Sequence, residues 1–396
     1  MALEVQAPGR DETIDLQQQV FRLQALLEAS RLVHSTTNEE EVLETVLRIV
    51  VRELEMAGAA FPSDHLSYGD KIPLIDGPGA HGGDGNSLRM YPLDDRDGRR
   101  MTELVVAPPG GRELTIYEAD FLEGLSLQAA VALENARNHK RNLEFARVQQ
   151  DLDAARAIQR SLLPQKLPVI EGSSIGYRSV TCYEVGGDYL DIVTLPDASV
   201  LVAVADVAGK GLASAMMSTN FRSAFRAMAI SGIPLDELAT RMNEHHWLEG
   251  EEARRRYVTA IFLRLKPDLS EVEVVNAGHN PGFLCQPGRT ALQFEAAGTP
   301  LGLLPGMQYA SERHAFPEGS RLLLYTDGLT EVFRGDEEFG PERLLASFSA
   351  YPVANADGIL DALWAAIEEF SDGGPQTDDM TALALCRCAA SSENVA

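Results

Sequence analysis

Four aspartates between residues 188 and 378 lie where an apolar, strand-like run meets a turn. They are Asp188 in VGGDYLD, Asp206 in VAVADVAGKG, Asp327 in LLLYTDGLTE and Asp378 in QTDDMTALAL. A carboxylate at the end of a buried strand is costly unless a cation meets it, so several of them together indicate a shared cation. Ligation by oxygen alone favours a hard ion such as Mg2+ or Mn2+. Two such ions would nearly balance the carboxylate charge, and a two-metal site can activate water and clamp a phosphoryl group.

Other chemistries fit the same residues less well. Each aspartate alone has an ordinary explanation, because aspartate beside glycine is common in turns. A strand–GKG–helix pattern at Gly209 invites a nucleotide-binding interpretation. A Walker loop, however, would need Ser or Thr at Gly211 and Gly at Val204, and a dinucleotide fingerprint would need glycine at Ser214. We therefore prefer the metal interpretation.

The elements that position these aspartates are predicted from hydrophobic periodicity. After Pro164 and Pro168, short apolar runs alternate with turn signals, and helical stretches lie near 212–247 and 341–370. Strands mostly follow strands before the helices arrive, which favours an α+β domain with antiparallel sheet, over 168–390. The predicted strands are Tyr189–Leu195, Val200–Ala205, Tyr257–Leu265, Val272–Val275, Arg321–Tyr325 and Thr381–Cys386.

Apolar periodicity and cap residues predict helices at both ends of the first part of the chain. One covers residues 11–34, where Leu16, Val20, Leu23 and Leu27 form an apolar stripe. A second, TTNEEEVLETVLRIVVREL, begins with a Thr/Asn cap region and acidic residues. A third runs from about Thr115 to Pro164, longer than a globular helix normally needs, and we interpret it as a signalling or dimerisation helix. The alternative is one solvated helix folded back on a neighbour.

Composition limits the class of protein. The 396 residues include 34 Lys+Arg and 59 Asp+Glu, a net charge of −25, which argues against nonspecific binding to nucleic acid or to an anionic membrane. We find neither a bilayer-length apolar run nor a secretion signal, which predicts a cytoplasmic protein. The four cysteines, Cys182, Cys285, Cys386 and Cys388, form no CxxC pair and are expected to be free thiols in the core, away from the motifs and without a catalytic role.

Six motifs occur in an order that resembles a known family: GGDYLD, ADVAGKG, NAGHNP, GTPLG, YTDGLTE and TDDMT. The chain from 168 to 390 is similar to metal-dependent protein phosphatases of the protein phosphatase 2C-like superfamily. The likeness is to the bacterial branch that includes sporulation stage II and stress-response regulatory phosphatases. The segment ARAIQRSLLPQKLP also resembles the lead-in to this domain. The resemblance implies an αββα sandwich with two Mn2+ or Mg2+ ions between its sheets.

The resemblance also implies roles for individual residues. Asp206 would bridge both metals beside the Val207 carbonyl, Asp327 and Asp378 would complete one site, and Asp188 would hold the other. In TDDMT the first aspartate matches the family ligand, which leaves Asp379 as the candidate supporting residue; the choice between the two stays open.

The implied reaction is attack of metal-activated water on phosphoserine or phosphothreonine without a phosphoenzyme. His279 is a candidate for protonating the leaving oxygen or orienting the substrate, although a histidine in such a turn is more often structural. Lys210 and Asn280 are candidate phosphate contacts. Which residue grips the phosphate is not assigned, because 184–188 contain no arginine and Arg178 has no evident role.

Residues 11–135 resemble a GAF-type sensor domain in their entry helix (ASRLVHSTTNEEEVLETVLRIV) and exit helix (LTIYEADFLEGLSLQAAVALENAR), although no clear first strand pair lies between them. Residues 136–167 would form a helical linker. Domains of this type commonly pair through parallel helices, which implies a homodimer formed by the N-terminal and linker helices. No cysteine lies in this part of the chain, which excludes a thiol-linked tetrapyrrole.

These expectations describe a signalling phosphatase whose N-terminal sensor acts on a C-terminal Mn2+/Mg2+-dependent serine/threonine phosphatase. The resemblance implies a phosphorylated anti-sigma-factor antagonist, or a similar protein, as the substrate. One alternative is a catalytically silent module with the same fold that binds a partner. Another is a metal-dependent phosphohydrolase that acts on a small molecule.

Overall fold

The computed structural model describes residues 10–69, 88–351 and 355–388. The chain divides into two compact units, Met1–Gln149 (unit 1) and Gln150–Ala396 (unit 2), and the division falls within the predicted linker. Part of the predicted sensor, residues 70–87, and the last two residues of the predicted phosphatase domain lie outside the described ranges. No helix in those ranges is both long and apolar enough to cross a bilayer.

Unit 1 contains an antiparallel four-stranded sheet in the order β2-β1-β4-β3, packed against helices. A first strand pair is present after all, as β1 pairs with β2, so the expectation of none was wrong. These strands are four residues each, and β2 is largely exposed, so neither has the long apolar run that marks a strand. The elements are α1 (Arg10–Val33), α2 (Glu39–Glu53), β1 (Gly58–Phe61), β2 (Leu66–Gly69), β3 (Arg89–Asp94), β4 (Arg100–Ala107) and α3 (Ile116–Leu162).

The predicted helices of this half are confirmed. Helix α2 begins after Asn38, whose side chain accepts hydrogen bonds from the amides of Glu40 and Glu41, as the cap region predicted. Helix α3 is one continuous helix whose last turns belong to unit 2. The helix-and-sheet composition of unit 1 agrees with the predicted class, and its assignment to the GAF type stays a prediction.

Unit 2 consists of two five-stranded sheets with helices on the outer faces, in the order β11-β10-β13-β16-β5 and β12-β9-β8-β7-β6. Its helices are α4 (Leu212–Ala229), α5 (Leu235–Leu248), α6 (Glu251–Arg255), α7 (Gly340–Ala350) and α8 (Ala356–Ser371). Its strands are β5 (Ser173–Val180), β6 (Tyr189–Thr194), β7 (Val200–Val207), β8 (Val258–Leu265), β9 (Glu271–Ala277), β10 (Gly282–Cys285), β11 (Leu292–Phe294), β12 (Glu312–Ala315), β13 (Arg321–Tyr325), β14 (Phe333–Arg334), β15 (Glu337–Glu338) and β16 (Met380–Arg387). The first and last long strands of the unit, β5 and β16, pair along their whole length.

Three hydrophobic layers hold unit 2 together. One lies between the two sheets, one between the β6–β9 sheet and helices α4 and α5, and one between the other sheet and helices α7 and α8. Strand β7 is apolar from Val200 to Ala205 because both of its faces are covered. Val202 and Val204 face the other sheet, whereas Leu201 and Ala203 face the helices, so both faces are buried. The predicted αββα sandwich is confirmed.

Two details differ from the sequence prediction. The helical stretch 212–247 is two helices, because Pro234 cannot continue a helix and α5 begins after it. Strands β5, β10, β11, β12, β14 and β15 were not predicted. Of these, β11 and β12 are short and largely exposed edge strands, which lack an apolar run.

Candidate functional site

Strand pairing brings the predicted aspartates to one end of the sandwich. In one sheet, Tyr189 of β6 pairs with Ala205 of β7, which places Asp188 beside Asp206. In the other sheet, the end of β13 at Tyr325 pairs with Ala382 near the start of β16. Asp327 follows β13, and Asp378 precedes β16, so these two also come together.

Thr326 connects the two pairs across the sheets. Its Oγ1 donates a hydrogen bond to Asp188 Oδ2 at 2.7 Å, and the same oxygen accepts one from the Thr381 amide at 2.9 Å. The Thr326 amide donates to the Thr381 carbonyl at 2.9 Å. These three side chains are buried. Asp188, which belongs to one sheet, is thereby fixed to the other.

The two aspartates of TDDMT have different surroundings. Asp379 is buried, and its carboxylate accepts hydrogen bonds from the amides of Cys182 and Gly187, both at 2.8 Å. Asp378 is more exposed and forms an ion pair with Lys210 at 2.8 Å. Asp379 therefore holds the GGD loop in place, and both carboxylates add to the negative charge around Asp206. The choice of Asp378 as the ligand and Asp379 as the supporting residue stays a prediction.

The GGD loop lies directly against the end of β7. A Cβ atom on Gly187 would stand 2.8 Å from the Val207 carbonyl oxygen and 3.2 Å from Asp206 Oδ1. Only glycine allows the two segments to approach this closely, which explains the spacing of the motif. The Val207 carbonyl and the Asp206 carboxylate therefore face the same loop.

Burial and mutual repulsion raise the pKa values of these carboxyl groups. Burial, with the neighbouring carboxylates of Asp327 and Asp378, raises the pKa of Asp206 to about 7. Burial, with Glu331 and Asp378, raises the pKa of Asp327 to about 6. The pKa of Asp188 is raised as well, first by burial and then by Asp206. The positive charge in the cluster is thus too small to balance the negative charge of its carboxylates.

A divalent cation fits this donor set. The groups are oxygen donors, Asp188 is buried and the other three aspartates are half-buried, and a hard cation would correct the charge deficit. Among the described residues, no three His, Cys, Asp or Glu side chains are already gathered in metal-ligating positions. The assignment of individual ligands therefore stays a proposal.

Of the three predicted substrate residues, Lys210 lies beside the aspartate cluster, whereas His279 is buried in its turn. Lys210 reaches the cluster through Asp378 and also donates to the Thr377 carbonyl at 2.8 Å. His279 is buried, with Nδ1 2.8 Å from Thr259 Oγ1 and its amide bonded to Asn276. Burial lowers the pKa of His279 to about 4, so its ring is neutral near pH 7. This placement favours a structural role for His279 in its turn; the adjacent Asn280 is half-buried.

Sequence reasoning missed a contact from the end of α3. Gln159 Nε2 donates to the Gly186 carbonyl at 2.6 Å, and the Gly186 amide donates back to Gln159 Oε1 at 3.1 Å. Arg222 on α4 donates to the Leu162 carbonyl at 3.1 Å. Gln159 lies in the ARAIQRSLLP segment beside Arg160 and Ser161, so its polarity alone did not distinguish it.

The expectation that all cysteines lie away from the motifs was wrong. The Cys182 amide binds Asp379, and its half-buried sulfur lies 3.3 Å from the Gln376 carbonyl. Cys182 lies four residues before the GGDYLD motif in sequence, and the pairing of β5 with β16 also brings it beside TDDMT.

Comparison with known proteins agrees with this architecture. Residues 196–387 match the family model described as Stage II sporulation protein E (SpoIIE). Phosphoserine phosphatase RsbU of Bacillus subtilis is 28% identical over 185 residues, 46% of this chain and 54% of that protein. Phosphoserine phosphatase RsbP of the same organism is 26% identical over 184 residues, 46% of this chain and 45% of that protein. The chain thus covers about half the length of these relatives.

A solved structure shows the same fold. The SiaA-PP2C domain of Pseudomonas aeruginosa, 20% identical, superimposes with a TM-score of 0.53 over 61% of this chain and 97% of that one. Residues 196–387 are thus similar to the Stage II sporulation protein E family, and the chain shares the fold of the solved PP2C domain.

Proposed function

We propose that this protein is a divalent-metal-dependent phosphatase that hydrolyses phosphoserine or phosphothreonine on a protein. The observation that carries the proposal is the convergence of strand-end carboxylates from both sheets, with pKa values raised for lack of positive charge. The similarity to proteins named phosphoserine phosphatases supports this choice of substrate.

In this proposal Asp206 and the Val207 carbonyl would help to hold two Mn2+ or Mg2+ ions. Asp327 and Asp378 would complete the site of one ion, and Asp188 would serve the other. When bound, the ions would activate water and neutralise charge on the phosphoryl group. Thr326 keeps the Asp188 carboxylate oriented, and Asp379 keeps the GGD loop against β7. Asp378 also orients Lys210 at the rim of the site.

We infer that unit 1 is a sensor that regulates unit 2 through α3. Support comes from Gln159, which contacts the loop that carries Asp188. Pairing of two chains through α1 and α3 is part of the proposal. Phe145, Val148 and Ile158 of α3 are 67%, 55% and 63% exposed, an apolar stripe that a second helix could cover. The proposed substrate is a phosphorylated anti-sigma-factor antagonist.

The test is hydrolysis by the full chain while Mn2+ is titrated, using a generic phosphomonoester, a phosphoserine peptide and a nucleotide. We expect metal-dependent turnover that Asp206→Asn abolishes. Preference for nucleotides would favour the small-molecule phosphohydrolase. Metal binding without turnover of any substrate would favour the silent partner-binding module.

A further inference from the structure

The cations nearest to the candidate site are mostly engaged by carboxylates. Lys210 is paired with Asp378. Arg178 forms an ion pair with Asp361 and lies over the ring of Trp364 at 5.1 Å, on the side of the sheet that packs against α8. Neither Lys210 nor Arg178 is therefore free to take a phosphoryl group as its main partner.

Arg256 occupies a different position, between α6 and β8. The amide of Ala208 donates a hydrogen bond to the carbonyl of Tyr257 at 2.9 Å, so the chain at Arg256 is attached to the loop that follows Asp206. The guanidinium lies over Gly209 of that loop, where a Cβ atom would stand 2.7 Å from Arg256 Nη1. The guanidinium can lie there only because residue 209 has no side chain.

The backbone of Arg256 is held firmly. His246 is buried, and its Nε2 lies 2.9 Å from the Arg256 carbonyl oxygen and 2.9 Å from that of Ala253. The Arg256 amide donates to the Ala253 carbonyl at 2.9 Å. The side chain therefore starts from a fixed point beside the ADVAGKG loop.

Arg256 is also chemically available. In the part of the chain that the structure describes, its guanidinium forms no ion pair, although acidic residues outnumber basic ones by 59 to 34. Its neighbours are both engaged. Arg254 lies over the Trp247 ring at 4.2 Å, and Arg255 pairs with Glu251 at 2.6 Å. An unpaired guanidinium beside the loop of Asp206 suits an anion that enters the site.

We propose that Arg256 binds the non-bridging oxygens of the substrate phosphoryl group. This inference rests on the proposed function and supplies the phosphate contact that the sequence left unassigned. A guanidinium presents a planar fork of N–H donors that matches phosphate oxygens and stays charged at any working pH. Arg256 would bind substrate phosphate and product phosphate alike, and would leave metal binding to the carboxylates.

The experiment compares Arg256→Ala, Arg256→Lys and the control Arg255→Ala with wild type, in the full chain with saturating Mn2+. The readouts are KM for a phosphomonoester, inhibition by inorganic phosphate and the Mn2+ titration midpoint. Loss of a charged hydrogen-bonding partner should raise KM and the phosphate inhibition constant about tenfold or more in Arg256→Ala. Arg256→Lys should be intermediate because it keeps the charge without the fork, and Arg255→Ala should match wild type.

Unchanged KM and phosphate inhibition in a folded Arg256→Ala variant would overturn the inference while leaving the proposed function intact. A shifted Mn2+ midpoint with unchanged phosphate inhibition would also overturn it, since Arg256 would then be structural. Failure of the wild type to hydrolyse any phosphomonoester would count against the proposed function instead. In that case the role of Arg256 is tested by calorimetry of inorganic phosphate binding to the Mn2+-loaded chain. Weaker binding by Arg256→Ala than by wild type would support the contact. Equal binding by the two proteins, or no binding by wild type, would overturn it.

Discussion

Replacing Arg226 by methionine should destabilise unit 2 without removing a catalytic group. Arg226 on α4 forms a two-bond ion pair with Asp191 of β6, at 2.6 and 2.7 Å, and the Asp191 side chain is 0% exposed. The Tyr189 hydroxyl donates to Asp191 at 2.7 Å, and the Ile192 amide donates at 2.9 Å. The substitution therefore leaves a buried carboxylate with two neutral donors and no cation.

The size of the effect follows from this arrangement. Breaking a fully buried ion pair from one side costs about 3–5 kcal/mol. The Arg226 side chain is 42% exposed, so solvent already screens the pair and we expect about 2 kcal/mol. For a unit of this size, that corresponds to a fall of about 4–8 °C in the melting temperature of the unit 2 transition.

The assay is differential scanning calorimetry of the full chain, in which the unit 2 transition is followed. Arg255→Met is the matched control, because Arg255 pairs with Glu251 in solvent, and no measurable shift is expected. Adding Asp191→Asn to Arg226→Met should recover part of the loss, because it removes the unpaired buried charge. If the double variant were no more stable than Arg226→Met, the loss would come from helix packing and the electrostatic reasoning would be refuted.

Three further outcomes are expected. Gln159→Ala should raise the Mn2+ concentration needed for half-maximal activity several-fold, because it removes the hydrogen bonds that hold the Gly186 loop. Ser161→Ala on the same helix is the control and should leave that concentration unchanged. An unchanged midpoint in Gln159→Ala would contradict the prediction. The Arg112 guanidinium, followed by Thr115, lowers the pKa of Glu118 to about 2, so this carboxylate stabilises unit 1 above about pH 4.5 and the contribution is lost as pH falls toward 2. Arg112→Met should therefore lower the unit 1 melting temperature more at pH 6 than at pH 3, and equal shifts at the two pH values would count against the pair. Chelation by EDTA should abolish phosphatase activity, and added Mn2+ or Mg2+ should restore it; activity that survives exhaustive chelation would exclude the metal proposal.

The parts of the fold predicted correctly are those in which one segment carries its own signal. Strands such as β7 are mostly apolar on both faces, and the start of helix α2 is marked by the N-cap residue Asn38 and by acidic residues in the first turn. Of the strands that were missed, β11 and β12 lie at sheet edges, where few side chains are buried, and β10 is buried but only four residues long. Their existence depends on the neighbouring strand, which local periodicity does not show.

The same distinction applies to the site. The aspartates could be predicted because a carboxylate at the end of an apolar run conflicts with its surroundings, and that conflict is visible in the sequence. The roles of Thr326, Cys182 and Arg256 could not be predicted, because each depends on a partner more than 45 residues away. Thr326 bonds to Asp188 at a separation of 138 residues, and Cys182 bonds to Asp379 at a separation of 197. Arg256 lies against Gly209. A threonine or an arginine is unremarkable until the chain that meets it is known.

The pairing of β5 with β16 has a consequence for how the protein is made. Eight residues from 173 to 180 pair with 380 to 387, so the sheet that carries Asp327 is completed only by the last long strand of the unit. Asp378 and Asp379 lie immediately before that strand, so they are synthesised after the other carboxylates of the cluster. Contacts this distant in sequence form slowly, because a long loop must close before they contribute. The nascent chain therefore cannot bring the four aspartates together until synthesis of unit 2 is nearly finished. A chain truncated before residue 378 would lack Asp378, Asp379 and strand β16, which lies between β13 and β5.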